Sequence, residues 1–173
     1  MNLLKCFYPY EYVEDVFSID YQALRDKGVK GLIFDIDNTL VPHGADSTEQ
    51  VDALFAKLNS MGFTTLLLSN NNRQRIERFA TNISTLYIEE AGKPHPACYL
   101  KAVEMMRISK KEVVVIGDQL FTDIFGANRS GLPSILVKYI GFYKKEKKGI
   151  RRNLEKIVLW LYSHSRHYQH RIF

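Results

Sequence analysis

The chain has 173 residues, of which 46% are hydrophobic and 25% are charged, as in ordinary soluble globular proteins. This length predicts one compact domain that needs neither disulfides nor a structural metal, and the composition excludes collagen-like, coiled-coil and disordered chains. Apolar runs of at most about six residues predict no membrane-spanning helix, and the N-terminus lacks the long apolar segment of a secretory signal. Cys6 and Cys98 form no CxxC pattern, so we expect no zinc site and a cytoplasmic location.

The net charge of +5 is unevenly distributed along the chain. From Lys138 onward there are ten Lys and Arg against two Asp and Glu, whereas the preceding residues carry 14 against 17. Such an asymmetry indicates that the tail meets an anionic surface. We therefore predict a core with an N-terminal extension over residues 1–140 and a basic, partly amphipathic helical tail over residues 141–173.

Five short apolar runs predict the strands of the core. Because the runs are continuous rather than alternating, we expect strands that are covered on both faces. Between two of them, apolar side chains recur over Val51–Leu58 at the spacing of one helix face, and Pro94 or Pro96 suits the first turn of another helix. The five runs are Gly31–Phe34, Thr65–Leu68, Leu86–Ile88, Val113–Ile116 and Ile135–Val137.

This alternation of strands and helices predicts a three-layer α/β/α, Rossmann-like fold with a mostly parallel, five-stranded sheet. Ligands of such sheets bind beyond the carboxyl ends of the strands, so the residues that follow each run are the candidate site. Polar and charged side chains stand at these ends. They are Asp35 and Asp37, Ser69 and Asn70, Lys93, and Asp118 and Asp123.

The chemistry of this set indicates a phosphate site. Several crowded carboxylates cannot all stay ionised without a cation, and hard oxygen ligands with room for water suit Mg²⁺. Lys93 and Ser69 are groups that bind an anion. A carboxylate that the metal does not consume is then free to attack phosphorus or to move protons.

The sequence resembles the phosphohydrolases of the haloacid dehalogenase superfamily. Asp35–Val41 (DIDNTLV) resembles the first motif of that superfamily, which is a strand followed by DxDxT. Ser69 matches the second motif, Lys93 the third, and Gly117-Asp118 with Asp123 the fourth. The motifs occur in the expected order, each after its own apolar run.

The resemblance implies a role for each matching residue. Asp35 would be the nucleophile that forms an aspartyl-phosphate. Asp37 would act as acid and then as base, while its backbone carbonyl binds Mg²⁺. Asp118 would be the second metal carboxylate, and Asp123 either a ligand or a group that orients waters or Lys93. The phosphoryl oxygens would be held by Ser69 and Lys93, with Asn70 beside them.

Three neighbouring residues stay open at this level. Thr39, in the first motif, is as compatible with a structural role as with a functional one. His43 and His95 lie near the predicted rim, where each either contacts substrate or is an exposed polar side chain.

The spacing of the motifs predicts a site without a lid. A helix begins near Thr48, soon after the first motif, and only 24 positions separate Ser69 from Lys93. Neither interval holds an independent domain, which needs roughly 50 residues. Such an open site suits a phosphate that protrudes from something large, namely a protein, a nucleic-acid end or a lipid head group, unless a second subunit covers it.

The N-terminal residues add a finer resemblance. Tyr8–Tyr12, Ile19-Asp20 and Gly28–Gly31 resemble the opening of the capless subfamily IIIA, YqeG-type group, which is similar to mitochondrial phosphatidylglycerophosphate phosphatases. The resemblance implies Mg²⁺-dependent hydrolysis of phosphatidylglycerophosphate to phosphatidylglycerol. The alternatives are a phosphatase of soluble phosphoesters, phosphoproteins or nucleic-acid ends, and a non-catalytic scaffold that binds phosphoryl groups.

The tail has the pattern of a basic interfacial helix, which predicts peripheral association with an anionic membrane at its cytoplasmic face. The alternatives are a helix that packs on its own sheet and a nucleic-acid contact, for which the chain has no clear module. The sequence leaves the oligomeric state open. On a helix, apolar Ile150, Leu154, Ile157, Val158 and Leu161 share one face, and Arg151, Arg152, Glu155 and Lys156 share another.

Overall fold

The structure is a computed structural model that describes residues 3–140 and 150–165. Its centre is a sheet of six strands in the order β1-β6-β5-β2-β3-β4, in which every neighbouring pair is parallel. The strands are β1 (Glu11–Val13), β2 (Gly31–Phe34), β3 (Thr64–Leu68), β4 (Leu86–Ile88), β5 (Val113–Gly117) and β6 (Ser134–Val137). The α-helices are α1 (Tyr21–Asp26), α2 (Glu49–Ser60), α3 (Arg73–Phe79), α4 (Pro96–Met106), α5 (Phe125–Arg129) and α6 (Ile150–Ser163).

The prediction of a three-layer parallel α/β fold is confirmed, and the number of strands is corrected from five to six. The five apolar runs form β2 to β6. The strand that sequence analysis missed, β1, has only three residues and pairs with β6 at the edge of the sheet. Its half-exposed, Glu- and Tyr-containing segment lacks the continuous apolar character by which the buried strands were identified.

Successive side chains of the central strand enter different layers, which produces two cores. Leu32 and Phe34 pack with α1, α2 and α3 on one side, whereas Ile33 packs with α4 and α5 on the other. All four residues of β2 are buried. A strand with helices on both faces must be apolar throughout, and this explains the unbroken run in the sequence.

Local signals set the beginnings of the two longer core helices. The Thr48 hydroxyl accepts a hydrogen bond from the Val51 amide and caps α2, whose apolar stripe Val51–Leu58 is buried. Pro96 is the first residue of α4, where a missing N–H costs no hydrogen bond. His95 caps this helix, since its Nδ1 accepts from the Ala97 amide. That contact favours the structural interpretation of His95.

Two connections lead from the first motif to the third, and neither contains an inserted domain. The β2–β3 connection holds α2, and the β3–β4 connection holds α3. The carboxyl edge of the sheet is thus left without a cap in this described part of the chain. Among the residues that the structure describes, none of the helices has the length and apolar character needed to cross a membrane.

The tail helix α6 packs on the core, and its faces differ from the expected ones. Val158 and Tyr162 are buried against Tyr8 and Leu136, and Glu155, which was expected on the solvent face, is buried as well. Three apolar side chains lie outward instead. They are Leu154, Ile157 and Trp160, all largely exposed. The boundary at residue 140 stays a prediction, because residues 141–149 and 166–173 lie outside the described residues.

Candidate active site

Three adjacent strands bring the predicted motifs together. In the sheet, β2 lies between β3 and β5, and Phe34 is in register with Leu67 and Ile116. The chain leaves all three strands at nearly the same level, so that Asp35, Ser69 and Asp118 emerge side by side. Parallel strands with matched register place the residues after their carboxyl ends at one point.

The Lys93 side chain joins the segment that follows β2 to the segment that follows β5. Its ammonium lies 2.5 Å from Asp35 Oδ1 and 2.7 Å from Asp123 Oδ1. The side chain is only 5% exposed, so this is a buried ion triad rather than a surface contact. Lys93 is thus a buried cation and not a solvated side chain on the surface.

The electrostatics of this triad leave an excess of negative charge. Burial raises the pKa of Asp35 to about 6, although Lys93 opposes the shift, and Asp123 raises it further. Burial alone would lower the pKa of Lys93, but Asp123 and Asp35 outweigh this effect and hold the pKa above its usual range. The lysine therefore stays charged, while two carboxylates compete for its single positive charge.

The acidic cluster fits a divalent cation. Carboxylate oxygens of Asp35, Asp118 and Asp123 all lie within 4.8 Å of one another. The Lys93 ammonium contacts two of these three carboxylates, and a further cation would stabilise the ionised form of Asp35 that burial disfavours. The oxygen-only donor set is of the kind that Mg²⁺ prefers. The carboxylate of Asp37 is not part of this cluster.

The position of Asp123 depends on a glycine at the end of β5. A Cβ atom on Gly117 would lie 2.4 Å from Cγ of Asp123, closer than packed atoms approach. Asp123 itself is 1% exposed. Its Oδ1 accepts from Lys93, and its Oδ2 accepts from the Gln119 amide at 3.2 Å. Asp123 therefore contacts Lys93 directly, and because it also belongs to the acidic cluster, its role as a metal ligand stays a prediction.

Asp37 lies in a different environment from Asp35. Its Oδ2 accepts from Asn71 Nδ2 at 2.7 Å, and its Oδ1 accepts from the Gly44 amide at 3.0 Å and from an Arg75 NH2 at 3.1 Å. Burial alone would raise the pKa of Asp37, but these donors and nearby His43 outweigh it, so the pKa is lowered. Asp37 therefore favours the carboxylate form.

Thr39 contacts the predicted nucleophile. Its fully buried hydroxyl donates to Asp35 Oδ2 at 3.2 Å, while Lys93 donates to Oδ1. Each oxygen of the Asp35 carboxylate thus accepts one hydrogen bond, and Thr39 is one of the two donors. Asn38, which lies between Asp37 and Thr39 in the sequence, has a left-handed backbone conformation (φ 65°). This conformation turns the chain directly after the two motif aspartates.

The two residues of the second motif, Ser69 and Asn70, have different partners. The Ser69 oxygen, 2% exposed as a residue, accepts from the Asn71 amide and from its side chain. Asn70 holds the third motif, because its Oδ1 accepts from the Lys93 amide at 2.9 Å and its Nδ2 donates to the Lys93 carbonyl at 3.4 Å. Asn70, predicted to bind substrate, thus positions the Lys93 backbone in this structure.

These residues line an open cavity of about 180 Å³. This volume is below the roughly 300–1,000 Å³ of pockets that enclose a whole small molecule. His43 lines the cavity and its Nδ1 lies 3.3 Å from Asp37 Oδ2, whereas His95 is not among the lining residues. The lining residues are Asp35, Asp37, Asn38, His43, Ser69, Asn70, Asn71, Lys93, Gln119 and Thr122.

Sequence analysis did not identify Asn71 and Arg75, both of which bind Asp37. Asn71 could have been found, since it is two residues beyond Ser69 in an exceptional Asn-Asn-Asn segment. Arg75 gives no such signal. It lies in the middle of α3, among other arginines that face solvent, and only the tertiary structure shows that its side chain is buried beside Asp37.

Comparison with known sequences identifies the family. A family model for haloacid dehalogenase-like hydrolases matches residues 44–131. The chain is 35% identical to the probable phosphatase YqeG of Bacillus subtilis, over 88% of this chain and 91% of the relative. It is 29% identical to phosphatidylglycerophosphate phosphatase 1 of Arabidopsis thaliana, again over 88% of this chain. The match spans only 46% of that longer protein.

Solved structures agree on the fold. An uncharacterized protein from Listeria monocytogenes aligns with a TM-score of 0.55 at 18% identity, over 78% of this chain and 99% of its own. The cobalt-bound deoxy-D-mannose-octulosonate 8-phosphate phosphatase of Haemophilus influenzae aligns with a TM-score of 0.51 at 13% identity, over 80% and 92%. With its strand-end motifs assembled at one cavity, the chain belongs to the haloacid dehalogenase-like hydrolases and is a phosphatase of that type.

Proposed function

We propose that the protein hydrolyses phosphomonoesters through a phosphoryl group carried on Asp35. The contact between Lys93 and Asp35 is the observation that carries this proposal, because it joins a nucleophile and a cation at the floor of an open cavity. Ser69 lies in the same cavity. Its hydroxyl hydrogen can be donated to a phosphoryl oxygen, since its oxygen is the acceptor in both contacts with Asn71.

The reaction has two balanced halves. A carboxylate oxygen of Asp35 attacks phosphorus, the bond to the leaving oxygen breaks, and Asp37 gives that oxygen a proton. Water then attacks phosphorus, Asp37 takes its proton, and cleavage of the Asp35 O–P bond releases phosphate. Lys93 and Ser69 hold the phosphoryl oxygens as charge shifts between attacking and leaving groups.

The environment of Asp37 suits both halves. The donors around it stabilise the carboxylate, which is the form that takes a proton from water. A phosphate dianion in the cavity raises the pKa of a neighbouring carboxyl group, and this favours the protonated form that the first half needs. The two carboxylates thus have separate tasks because only Asp35 lies beside Lys93.

We also propose Mg²⁺ as the cofactor, held by Asp35, Asp118 and the backbone carbonyl of Asp37. When bound, it would neutralise the acidic cluster and the charge of the phosphoryl group. Asp118 comes directly after β5 and is 3% exposed, so its carboxylate is fixed in the cluster.

Metal dependence can be measured with any soluble phosphoester. We expect chelation to abolish turnover and Mg²⁺ to restore it, and Asp118→Asn to raise the Mg²⁺ concentration for half-maximal activity by about tenfold or more. Exposed Asp46, which is outside the cluster, supplies the control Asp46→Asn. Full activity after exhaustive chelation would contradict the proposal.

The nucleophile can be tested by Asp35→Asn. We expect the fold to be retained, because the amide has nearly the same volume, and turnover to fall by at least about 10³-fold because the attacking carboxylate is lost. Vanadate or beryllofluoride should form an adduct with the unaltered protein and not with this variant. Substantial activity of Asp35→Asn would reject the mechanism.

For the substrate, we propose a lipid head-group phosphate, and specifically phosphatidylglycerophosphate. The open 180 Å³ cavity admits a protruding phosphate and does not enclose a whole metabolite. Relatives in Arabidopsis thaliana and Chlamydomonas reinhardtii are phosphatidylglycerophosphate phosphatases, at 29% and 26% identity. Work on such a substrate would place the protein peripherally on the cytoplasmic face of a membrane. The alternative is a soluble ester, since D-glycerol 3-phosphate phosphatase of Mycobacterium tuberculosis is 51% identical over 47 residues.

Release of phosphate separates the two substrates. We expect kcat/KM for phosphatidylglycerophosphate in vesicles to exceed that for glycerol 3-phosphate by at least about 100-fold, since only the lipid is concentrated at a surface. The Asp35→Asn variant sets the background of both assays. Rapid turnover of the soluble ester with the lipid left intact would overturn the lipid proposal and leave the phosphatase mechanism in place.

A further inference from the structure

The tail helix α6 has an outward apolar face that the core does not cover. We define this outward face by Leu154, Ile157 and Trp160, which lie three residues apart and are 47%, 57% and 62% exposed. Three large apolar side chains at this spacing form a continuous stripe along one side of a helix. Monomeric proteins seldom leave such a stripe in water without a partner.

The opposite face of α6 fixes the direction of this stripe. Val158 and Tyr162 are buried in a cluster with Tyr8, and the Tyr162 hydroxyl donates to the Tyr10 carbonyl at 3.3 Å. The rings of Tyr8 and Tyr162 meet edge to face, with centroids 5.6 Å apart. Because these contacts occupy the inner side, the helix cannot rotate to bury Ile157 or Trp160 without losing them.

The charge around the stripe indicates which partner it takes. In the sequence, the stretch Lys144–Arg152, which ends in the first residues of α6, has six Lys and Arg and one Glu. Lys156, on the helix itself, is exposed. An apolar stripe with Trp and Ile in a sequence segment rich in Lys and Arg is the pattern of a helix that lies in the head-group region of an anionic bilayer.

We infer that the outward face of α6 inserts into the surface of an anionic lipid bilayer while the inner face holds the core against it. A second copy of the chain suits the face less well, because a symmetric dimer would bring two strongly basic segments to one interface. Trp160 would lie at the level of the head groups, where its amphipathic ring is favoured. This inference depends on α6 alone and does not require the proposed substrate.

Trp160 reports its own environment, since it is the only tryptophan of the chain. With the full chain and vesicles containing phosphatidylglycerol, we expect a blue shift of its emission and quenching by brominated acyl chains. Pure phosphatidylcholine vesicles should give neither effect. High salt should weaken binding, since the basic groups act through screened charges.

Matched variants test the stripe. Ile157→Ser with Leu154→Ser should lower vesicle co-sedimentation by about tenfold or more. Leu100→Ser is the control, because Leu100 on α4 is also 47% exposed, and it should bind vesicles like the unaltered protein. Hydrolysis of a soluble phosphoester should be unchanged in both.

Three results would overturn the inference. The first is vesicle binding that the paired substitution leaves unaltered, and the second is the absence of vesicle binding by the unaltered protein. The third is a dimer in solution that the same substitution dissociates, which would assign the face to a second copy. In each case the soluble assay still reports on the phosphatase mechanism, so failure of the membrane contact and failure of the proposed function are distinguishable.

A separate observation concerns Arg75, whose side chain is 11% exposed. One NH2 group donates to Asp37 Oδ1 at 3.1 Å and to the Ala45 carbonyl at 2.6 Å, and the guanidinium lies 5.6 Å from the ring centre of Phe79. Nε and the other NH2 are buried without a hydrogen bond. A buried guanidinium with unpaired N–H groups destabilises the fold. Such a group is therefore expected where it has a functional role.

We propose that Arg75 is a positioning residue that aims the Asp37 carboxyl at the leaving oxygen. It holds one oxygen of Asp37 against the Ala45 loop, so the carboxyl cannot rotate out of the cavity. This proposal depends on the proposed role of Asp37 as an acid. Its test therefore compares leaving groups that need a proton with leaving groups that do not.

The measured quantity is kcat/KM, which reports steps up to phosphoryl transfer. For an alkyl phosphate, Arg75→Met should lower it by about 10- to 100-fold, and Asp37→Asn by about 10²- to 10⁴-fold. The leaving group of p-nitrophenyl phosphate, p-nitrophenolate, departs without protonation. For this substrate, Arg75→Met should lower kcat/KM by less than about threefold. The control Arg78→Met removes the exposed contact with Asp46 and should change neither value.

Equal losses on both substrates in Arg75→Met would show a purely structural role and overturn the proposal. If Asp37→Asn itself shows no dependence on the leaving group, the acid role of Asp37 is what has failed. Rescue by Arg75→Lys of folding but not of the alkyl phosphate activity is expected, because a lysine cannot reproduce the planar geometry of the guanidinium.

Discussion

The buried ammonium of Lys93 is the interaction on which the site depends. It lies between Asp35 and Asp123 at 2.5 and 2.7 Å, and it is the cation that compensates the acidic cluster in the described residues. Removing the lysine from such a triad would leave two buried carboxylates without their cation, which is strongly destabilising. Other features of the site support this arrangement: Gly117 makes room for Asp123, and Asn70 holds the Lys93 backbone.

The two aspartates of the first motif differ because of their surroundings. Asp35 is buried, and its pKa is raised to about 6 despite the adjacent lysine. Asp37 is two residues away, yet amide and guanidinium donors lower its pKa. Arg75 of α3, Asn71 and the Gly44 amide contact Asp37, whereas Lys93 and Thr39 contact Asp35. This difference is what allows one carboxylate to act as nucleophile and the other to move protons.

The open site and the tail helix have a common consequence for the kind of substrate. The connections that in a larger enzyme could hold a lid contain one helix each, so the cavity faces outward. The tail, in turn, packs with one face and leaves three apolar side chains outward. A shallow site suits a phosphate displayed on a surface, and an apolar helix face with basic neighbours suits the same kind of surface.

The sequence by itself determined the layers of the fold and the composition of the site. Unbroken apolar runs indicated buried strands, and residues that follow parallel strands meet at one edge of the sheet, so Asp35, Ser69, Lys93 and Asp118 could be named before any coordinates. Thr48 gave the start of one helix for an equally local reason, and the start of another was narrowed to Pro94 or Pro96, of which the structure has Pro96. The strands and the helix starts could be identified because they depend on residues close together in the sequence.

Only the tertiary structure decided the features that depend on contacts between distant segments. The edge strand β1 exists because β6 offers it a partner 124 positions later in the chain, not because its three residues favour a strand. Arg75 has no signal among the arginines of α3, and its burial against Asp37 follows from how that helix packs. The faces of α6 were misjudged, because Leu154 and Ile157 were expected on one face with Val158, yet they are exposed while Val158 is buried. Periodicity does not show which face the core will accept, since that choice depends on the shape and hydrogen-bonding groups of the surface formed by Tyr8, Tyr10 and Leu136.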